Sequence, residues 1–189
     1  MTAKDISEQV SRAVPEVEAR PVWSVRLHWL SVVLVMIAFV SVLVREQVEA
    51  RAVRETLLGV HQVSGLLVGL SCIVRLALRW LTIESSSRRR WSEWPAKAAT
   101  AVHGVLYLAM ACLPLIGWAF ATAAGRVSAW LWRTPLAGVI EDEDLSDQLG
   151  DWHQMSAWLW LALILLHVAA ALWHHVVLKD NVLRAMRLR

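Results

Sequence analysis

Four long apolar segments dominate this sequence and restrict what the chain can fold into. They cover about residues 22–44, 57–81, 96–124 and 152–178. Each is long enough, at about 1.5 Å of helical rise per residue, to cross the roughly 30 Å hydrocarbon layer of a bilayer. The chain is 57% hydrophobic and 19% charged, and the charges lie mostly between these segments. The pattern predicts an all-α integral membrane protein built as a four-helix bundle.

The flanking sequences predict domain organisation and orientation. Residues 1–20 are polar and lack the apolar stretch of a signal peptide, so we expect a cytoplasmic tail followed by one membrane domain, residues 21–189. The tail and the start of the first segment carry Lys4, Arg12, Arg20 and Arg26, and lysine and arginine outnumber aspartate and glutamate between the second and third segments and after the fourth. The positive-inside rule therefore places both termini in the cytoplasm. The longest connection, about residues 125–150, then faces outward, with a short interfacial helix predicted at 127–132.

All seven histidines lie within or at the ends of the apolar segments. An imidazole in hydrocarbon is costly and usually has a function. A single one more often forms a hydrogen bond between helices, whereas seven in one small bundle favour a binding role.

The two cysteines, Cys72 and Cys112, also lie in apolar segments, which predicts packing residues rather than a disulfide or a thiolate zinc site. No CxxCH motif for covalent haem occurs.

His153 and His167 predict two binding sites at different depths. Fourteen residues rise about 21 Å along a helix and return to within about 40° of the starting direction, so both imidazoles face the bundle interior. His61 on the second segment lies at the outer level, and His28 on the first lies at the inner level. Each level can therefore supply two facing imidazoles. His174, only about 20° around the helix from His167, competes with it for the inner site.

Haem explains this arrangement of histidines better than zinc does. Zinc ligands must converge to about 2.0–2.1 Å from one ion, and histidines at two depths on one helix cannot do so. A low-spin haem needs only one imidazole on each face of its ring, which two facing helices can provide. Gly65 and Gly69 follow His61 at four-residue steps. They would leave a slot for a flat macrocycle, although the same spacing is also a helix-packing motif.

His103 and Arg75 are further candidate binding residues near the inner surface. His103 could donate a hydrogen bond to a quinone carbonyl or a haem propionate, or it could bond a neighbouring helix. Arg75, and with less weight Arg26 and Arg79, could neutralise propionates of the inner haem, because guanidinium matches carboxylate geometry. Snorkelling of these arginines to lipid phosphates is the alternative.

Several stretches resemble the bacterial cytochrome b561 family of dihaem membrane proteins, over nearly the whole chain beyond the tail. The matching residues are Arg26-Leu27-His28-Trp29, His61 with its glycines, His103-Gly104, Leu113-Pro114-Leu115 with Gly117-Trp118, and the run from Leu166 to His175 followed by Asp180 and Leu183-Arg184. The resemblance implies a four-helix bundle in the bacterial inner membrane with two non-covalent haem b groups. It implies that His61 and His153 hold the outer haem and that His28 and His167 hold the inner one.

The resemblance also implies electron transfer between the quinone pool and a donor or acceptor at the outer face. One activity of the family is superoxide oxidation with ubiquinone receiving the electrons. Superoxide is attracted by positive potential, whereas the outward connection contains an acidic run from Glu141 to Asp151. Nearby arginines could still form a positive funnel; they are Arg45, Arg51, Arg54, Arg126 and Arg133.

Two other functions are compatible with the sequence. The chain could be a cytochrome b anchor subunit of a larger dehydrogenase or hydrogenase, with no catalytic site of its own. It could also be a haem-free structural or transport bundle. The acidic run could dock a basic periplasmic redox protein or simply be a solvated surface. The expected partners are thus lipid, quinone and an outer-face redox partner, and no nucleic acid.

Overall fold

The computed structural model describes residues 21–82, 94–126 and 142–179, together with residues 183, 186 and 187. Within these residues the chain forms four helices and no strands. The predicted tail and the predicted interfacial helix lie outside the described residues. The helices are α1, Val22–Gln47; α2, Arg51–Thr82; α3, Trp94–Ala123; and α4, Glu143–Val176.

All four helices are long and apolar enough to cross a membrane. Every helix carries large apolar side chains that do not pack against a neighbouring helix and point away from the bundle. Ile73, Leu108, Leu115, Leu159 and Leu165 are between 61% and 64% exposed. A surface of this kind marks a face that meets lipid or another apolar partner. The predicted all-α membrane bundle is therefore confirmed.

Consecutive helices pack against each other, α1 on α2, α2 on α3 and α3 on α4. Across the described residues, the backbones of α1 and α4 make few close contacts. Ser31 on α1 and Ser71 on α2 are buried with their hydroxyl oxygens 3.0 Å apart. Hydrogen bonds of this type hold helices together where lipid provides no hydrophobic drive for association.

A small buried core lies at mid-depth and is formed by α2, α3 and α4. Its members are Val68, Cys72, Met110, Leu113 and Trp160. Trp160 is seven residues from His153 and seven from His167 in the sequence, so it lies on nearly the same face of α4, halfway between them. The core therefore separates the two histidine levels.

Helix α4 begins at Glu143, well before the apolar segment that predicted it. The side chain of Asp142 accepts a hydrogen bond of 3.0 Å from the backbone N–H of Leu145. Glu143 and Asp144 then occupy the first turn, where carboxylates interact favourably with the helix dipole. Much of the acidic run is thus helical. Apolarity alone did not reveal this start because a capping residue and an acidic first turn are polar.

Candidate functional site

His61 on α2 and His153 on α4 face each other at one end of the bundle. Their ring centroids are 6.0 Å apart and their planes are perpendicular, at 90°. An imidazole nitrogen binds a first-row metal at about 2.0 Å and lies roughly 1 Å from its ring centre, so two imidazoles on opposite sides of one metal have centres about 6 Å apart. The structure brings together the two residues predicted for the outer site, at a spacing that suits one shared metal.

A backbone carbonyl fixes the orientation and tautomer of His61. Its Nδ1 lies 2.8 Å from the carbonyl oxygen of Ala38 on α1. Because a carbonyl can only accept, Nδ1 carries the proton and Nε2 keeps its lone pair. Histidines that bind metals commonly have their second nitrogen bonded in this way.

His153 is held closely by α3. Its Nδ1 is buried without a hydrogen-bond partner of ordinary geometry, and the Leu113 backbone is the polar group beside it. A Cβ atom added to Gly117 would lie only 2.7 Å from Cε1 of His153 and 2.9 Å from Nδ1. The ring therefore occupies the space that a side chain at Gly117 would fill.

A pocket between α2, α3 and α4 adjoins this histidine pair. Besides the two imidazoles, its lining is mostly apolar and comes from Gln62, Gly65, Leu66, Pro114, Gly117, Trp118 and Ala121. Apolar walls with a few fixed polar groups are typical of sites for large planar cofactors. The residues present therefore fit a flat, mainly apolar group with two axial imidazoles.

The two glycines after His61 differ in their surroundings. This difference indicates which glycine leaves a slot beside the histidines and which one serves helix packing. A Cβ on Gly69 would lie 3.4 Å from both Cβ and Cγ of Pro114, so Gly69 serves the contact between α2 and α3. A Cβ on Gly65 would meet nothing within 4 Å. Gly65 therefore leaves open space beside the histidines, while Gly69 belongs to helix packing.

At the other level the structure brings His103 on α3 next to His167 on α4. Their ring centroids are 5.2 Å apart, with an interplanar angle of 83°. Nδ1 of His103 lies 2.6 Å from the carbonyl of Ala99 on its own helix and therefore donates to it. The sequence predicts both histidines on the inner side of the bundle, but it does not predict their contact.

His28 lies near the start of α1, at the same end of the bundle as His103 and His167. Its ring makes an edge contact with that of Trp29, with centroids 5.7 Å apart. The indole N–H of Trp29 donates a 2.8 Å hydrogen bond to the carbonyl of Met186. Met186 is thereby held near the start of α1.

Arg75 is half-buried between α2 and α3. Its guanidinium carbon lies 5.7 Å from the ring centroid of Tyr107, within the range of a cation–π interaction. The thiol of the fully buried Cys72, one turn away, contacts the Tyr107 carbonyl at 3.6 Å. The contact with Tyr107 on α3 thus orients Arg75, to one side of the buried core.

Four of the seven histidines lie in two pairs, His61 with His153 and His103 with His167. Across these residues, no group of three or more His, Cys, Asp or Glu side chains is arranged to hold a metal ion. Zinc sites need three or four protein ligands, whereas a haem needs two axial ones. The facing pair of His61 and His153 therefore suits a haem.

Fold and site together define a four-helix membrane protein with paired imidazoles inside its bundle. The chain belongs to the prokaryotic cytochrome b561 family, whose model matches residues 19–188. It is therefore a b-type, haem-binding cytochrome and a multi-pass protein of the bacterial inner membrane.

Curated relatives agree with this assignment. A protein of Escherichia coli K12 named cytochrome b561 homolog 1 is 27% identical over 165 residues, which cover 85% of this chain and 92% of the relative. A Yersinia pestis protein named probable superoxide oxidase CybB is 30% identical over 162 residues, covering 85% of this chain and 90% of the relative. Cytochrome b561 homolog 2 of Escherichia coli K12 is 28% identical over 127 residues, covering 67% and 68%.

Proposed function

We propose that this protein holds two haem b groups and transfers electrons between a donor at the outer membrane face and the quinone pool. Superoxide is the donor that we propose. The observation that carries the proposal is the facing pair His61 and His153, 6.0 Å apart beside an apolar pocket. The name of the Yersinia pestis relative, probable superoxide oxidase, supports the choice of donor.

The outer haem is held by His61 and His153. Nε2 of His61 is the ligating atom, because Nδ1 is bonded to the Ala38 carbonyl. Gly65 leaves open space beside the two histidines, and Gly117 makes room for the His153 ring.

The inner haem is held by His28 and His167, which lie on α1 and α4. The few backbone contacts between these two helices are compatible with a group lying between them. The His103–His167 separation of 5.2 Å is shorter than the roughly 6 Å that two ligands of one metal need, which supports a contact role for His103. His103 then lies next to a ligand. Because its Nδ1 donates to the Ala99 carbonyl, only the imidazolium form of the ring has a second N–H, at Nε2, to donate to a quinone carbonyl or a propionate. Arg75 neutralises a propionate of the inner haem.

A haem held by two imidazoles would supply reversible one-electron transfer rather than oxygen binding. His153 and His167 are fourteen residues apart on α4 and place the two sites about 21 Å apart in depth. Each of two superoxide anions gives up one electron and leaves as dioxygen. Quinone takes up the two electrons with two protons and becomes quinol.

The orientation follows from the distribution of basic residues. Lysine and arginine in the tail, the second connection and the C-terminal segment place both termini in the cytoplasm. The level of His61 and His153 then lies toward the periplasm, and the level of His28 and His167 lies toward the cytoplasm.

A superoxide pulse tests the proposal. The oxidised holoprotein should show rapid growth of the reduced-haem absorption bands after the pulse, and added ubiquinone should reoxidise the haems. The His153→Ala variant is the control and should respond more slowly because its outer site is lost. Haems that stay oxidised after the pulse in fully loaded protein would exclude superoxide as the donor.

A second candidate function is that of a cytochrome b subunit for a larger dehydrogenase or hydrogenase. The exposed acidic residues at the start of α4 favour it, because they offer a docking surface for a basic protein; they are Glu143, Asp144, Asp147 and Asp151. Copurification of a soluble redox subunit, together with haems that superoxide does not reduce, would favour this function over the first.

A further inference from the structure

Arg45 lies at the outer end of α1, and its environment differs from that of the neighbouring arginines. Its Nε atom is buried and has no hydrogen-bond partner within the described chain. Arg51, by contrast, is highly exposed and is paired with Glu55 at 2.7 Å. A buried N–H without an acceptor is costly, so the position of Arg45 calls for an acceptor that the described residues do not supply.

The position of Arg45 on α1 relates it to the outer histidine pair. The Ala38 carbonyl, which accepts from Nδ1 of His61, lies seven residues before Arg45. Seven residues return to within about 20° of the same face and rise about 10 Å. Ser41, between them on this stripe, is buried, with 4% of its surface exposed. Arg45 therefore lies on the bundle-facing side of α1, above His61 toward the membrane surface.

The direction of helical side chains brings the guanidinium closer to this level. In an α-helix each Cα–Cβ bond is tilted toward the N-terminus. Because α1 runs from the inner to the outer end, the Arg45 side chain leans back toward His61. A macrocycle ligated by His61 carries its two propionates to one side of the iron, and in a membrane protein these carboxylates need a cation or water.

We infer that Arg45 binds a propionate of the outer haem through a charge-assisted hydrogen bond. This inference rests on the proposed function, because it requires haem between His61 and His153. The guanidinium provides the planar donor set that matches a carboxylate. It also places a positive charge beside the outer haem, which favours the reduced state of the iron.

The test is a redox titration of the purified holoprotein with both haems resolved. The His153→Ala variant assigns the outer haem, because its contribution should be missing there. Arg45→Gln should shift the midpoint potential of the outer haem downward and leave that of the inner haem unchanged. Arg45→Lys should show a smaller shift, because it keeps the charge and loses the planar donors. Arg51→Gln is the matched control, since it removes a positive charge from the same end of the bundle, and it should change neither potential.

Three results would overturn the inference. One is an Arg45→Gln protein with both haems bound at wild-type potentials, which would mean that Arg45 meets lipid phosphate instead. Another is an equal shift in Arg45→Gln and Arg51→Gln. The third applies if Arg45→Gln loses the outer haem. In that case, wild-type potentials of both haems in Arg45→Lys would contradict the inference. A wild-type protein without haem would instead refute the proposed function itself, so the two failures are distinguishable.

Discussion

The imidazole of His153 lies against Gly117 so closely that a single added carbon would stand 2.7 Å from its Cε1 atom. Real Cβ atoms do not approach other atoms to this distance, so one of the two groups would have to move. The position of His153 relative to His61 therefore depends on the absence of a side chain on α3. This relationship leads to the first prediction.

Gly117→Ala should displace His153 and lower the haem content of the protein from two per chain toward one. Alanine favours a helix over glycine by about 0.5–1 kcal/mol, so a weaker α3 cannot account for the loss. Pyridine haemochrome analysis gives the haem content. Gly104→Ala on the same helix is the control, because its added Cβ would meet nothing within 4 Å, and full haem content in both variants would contradict the prediction.

Gly65→Leu should abolish binding of the outer haem while the helices remain folded. The protein chain itself leaves space for a Cβ at this position, and the larger side chain would extend into the pocket beside the histidines, where the haem is proposed to lie. Circular dichroism of the purified variant should show unchanged helix content, and its Soret absorbance should fall by about half. Gly104→Leu should keep the full absorbance. An unchanged Soret band in Gly65→Leu would mean that the haem does not lie over this glycine.

His167→Ala should lose about one haem per chain, whereas His103→Ala should retain both. His167 is the proposed axial ligand, and His103 is bonded to Ala99 of its own helix and only contacts His167. Haem quantitation of the two variants beside the wild type tests this. The assignment of the inner ligands would be wrong if His103→Ala lost a haem and His167→Ala did not.

Trp160→Ala should destabilise the bundle by about 3 kcal/mol or more, because it opens a cavity in the buried core. Trp160→Phe should cost much less, since it keeps most of the ring and removes the indole N–H, which is buried without a partner. Thermal unfolding in detergent measures both effects. Trp158→Ala, at a position 51% exposed on the same helix, should be nearly neutral, and similar losses at both positions would contradict this account of the core.

Sequence alone predicted the four helices because the length of an apolar segment is tied directly to the thickness of the bilayer. It did not predict that α4 begins at Glu143, because the signal there is the polar cap of Asp142 rather than apolarity. Sequence reasoning also placed His61 and His153 at one level, since helix direction and residue count determine depth.

Other features of the site depend on the rotation and contact of neighbouring helices, which the sequence does not specify. The Ala38 carbonyl that orients His61 has no side-chain signal at all. Gly117 carries a signal only if α3 is known to face His153. The contact of His103 with His167 likewise requires the relative rotation of α3 and α4. The seven-residue steps from His153 to Trp160 to His167 could have identified Trp160 as a residue on the histidine face.

The central claim is that the bundle holds two haems at two depths, each between two facing imidazoles. The amount of haem bound per polypeptide tests this claim most directly. Pyridine haemochrome analysis of purified, monodisperse protein should give two haem b groups per chain in the wild type and one in His153→Ala. A wild-type preparation that is folded and helical but lacks Soret absorption would contradict the claim.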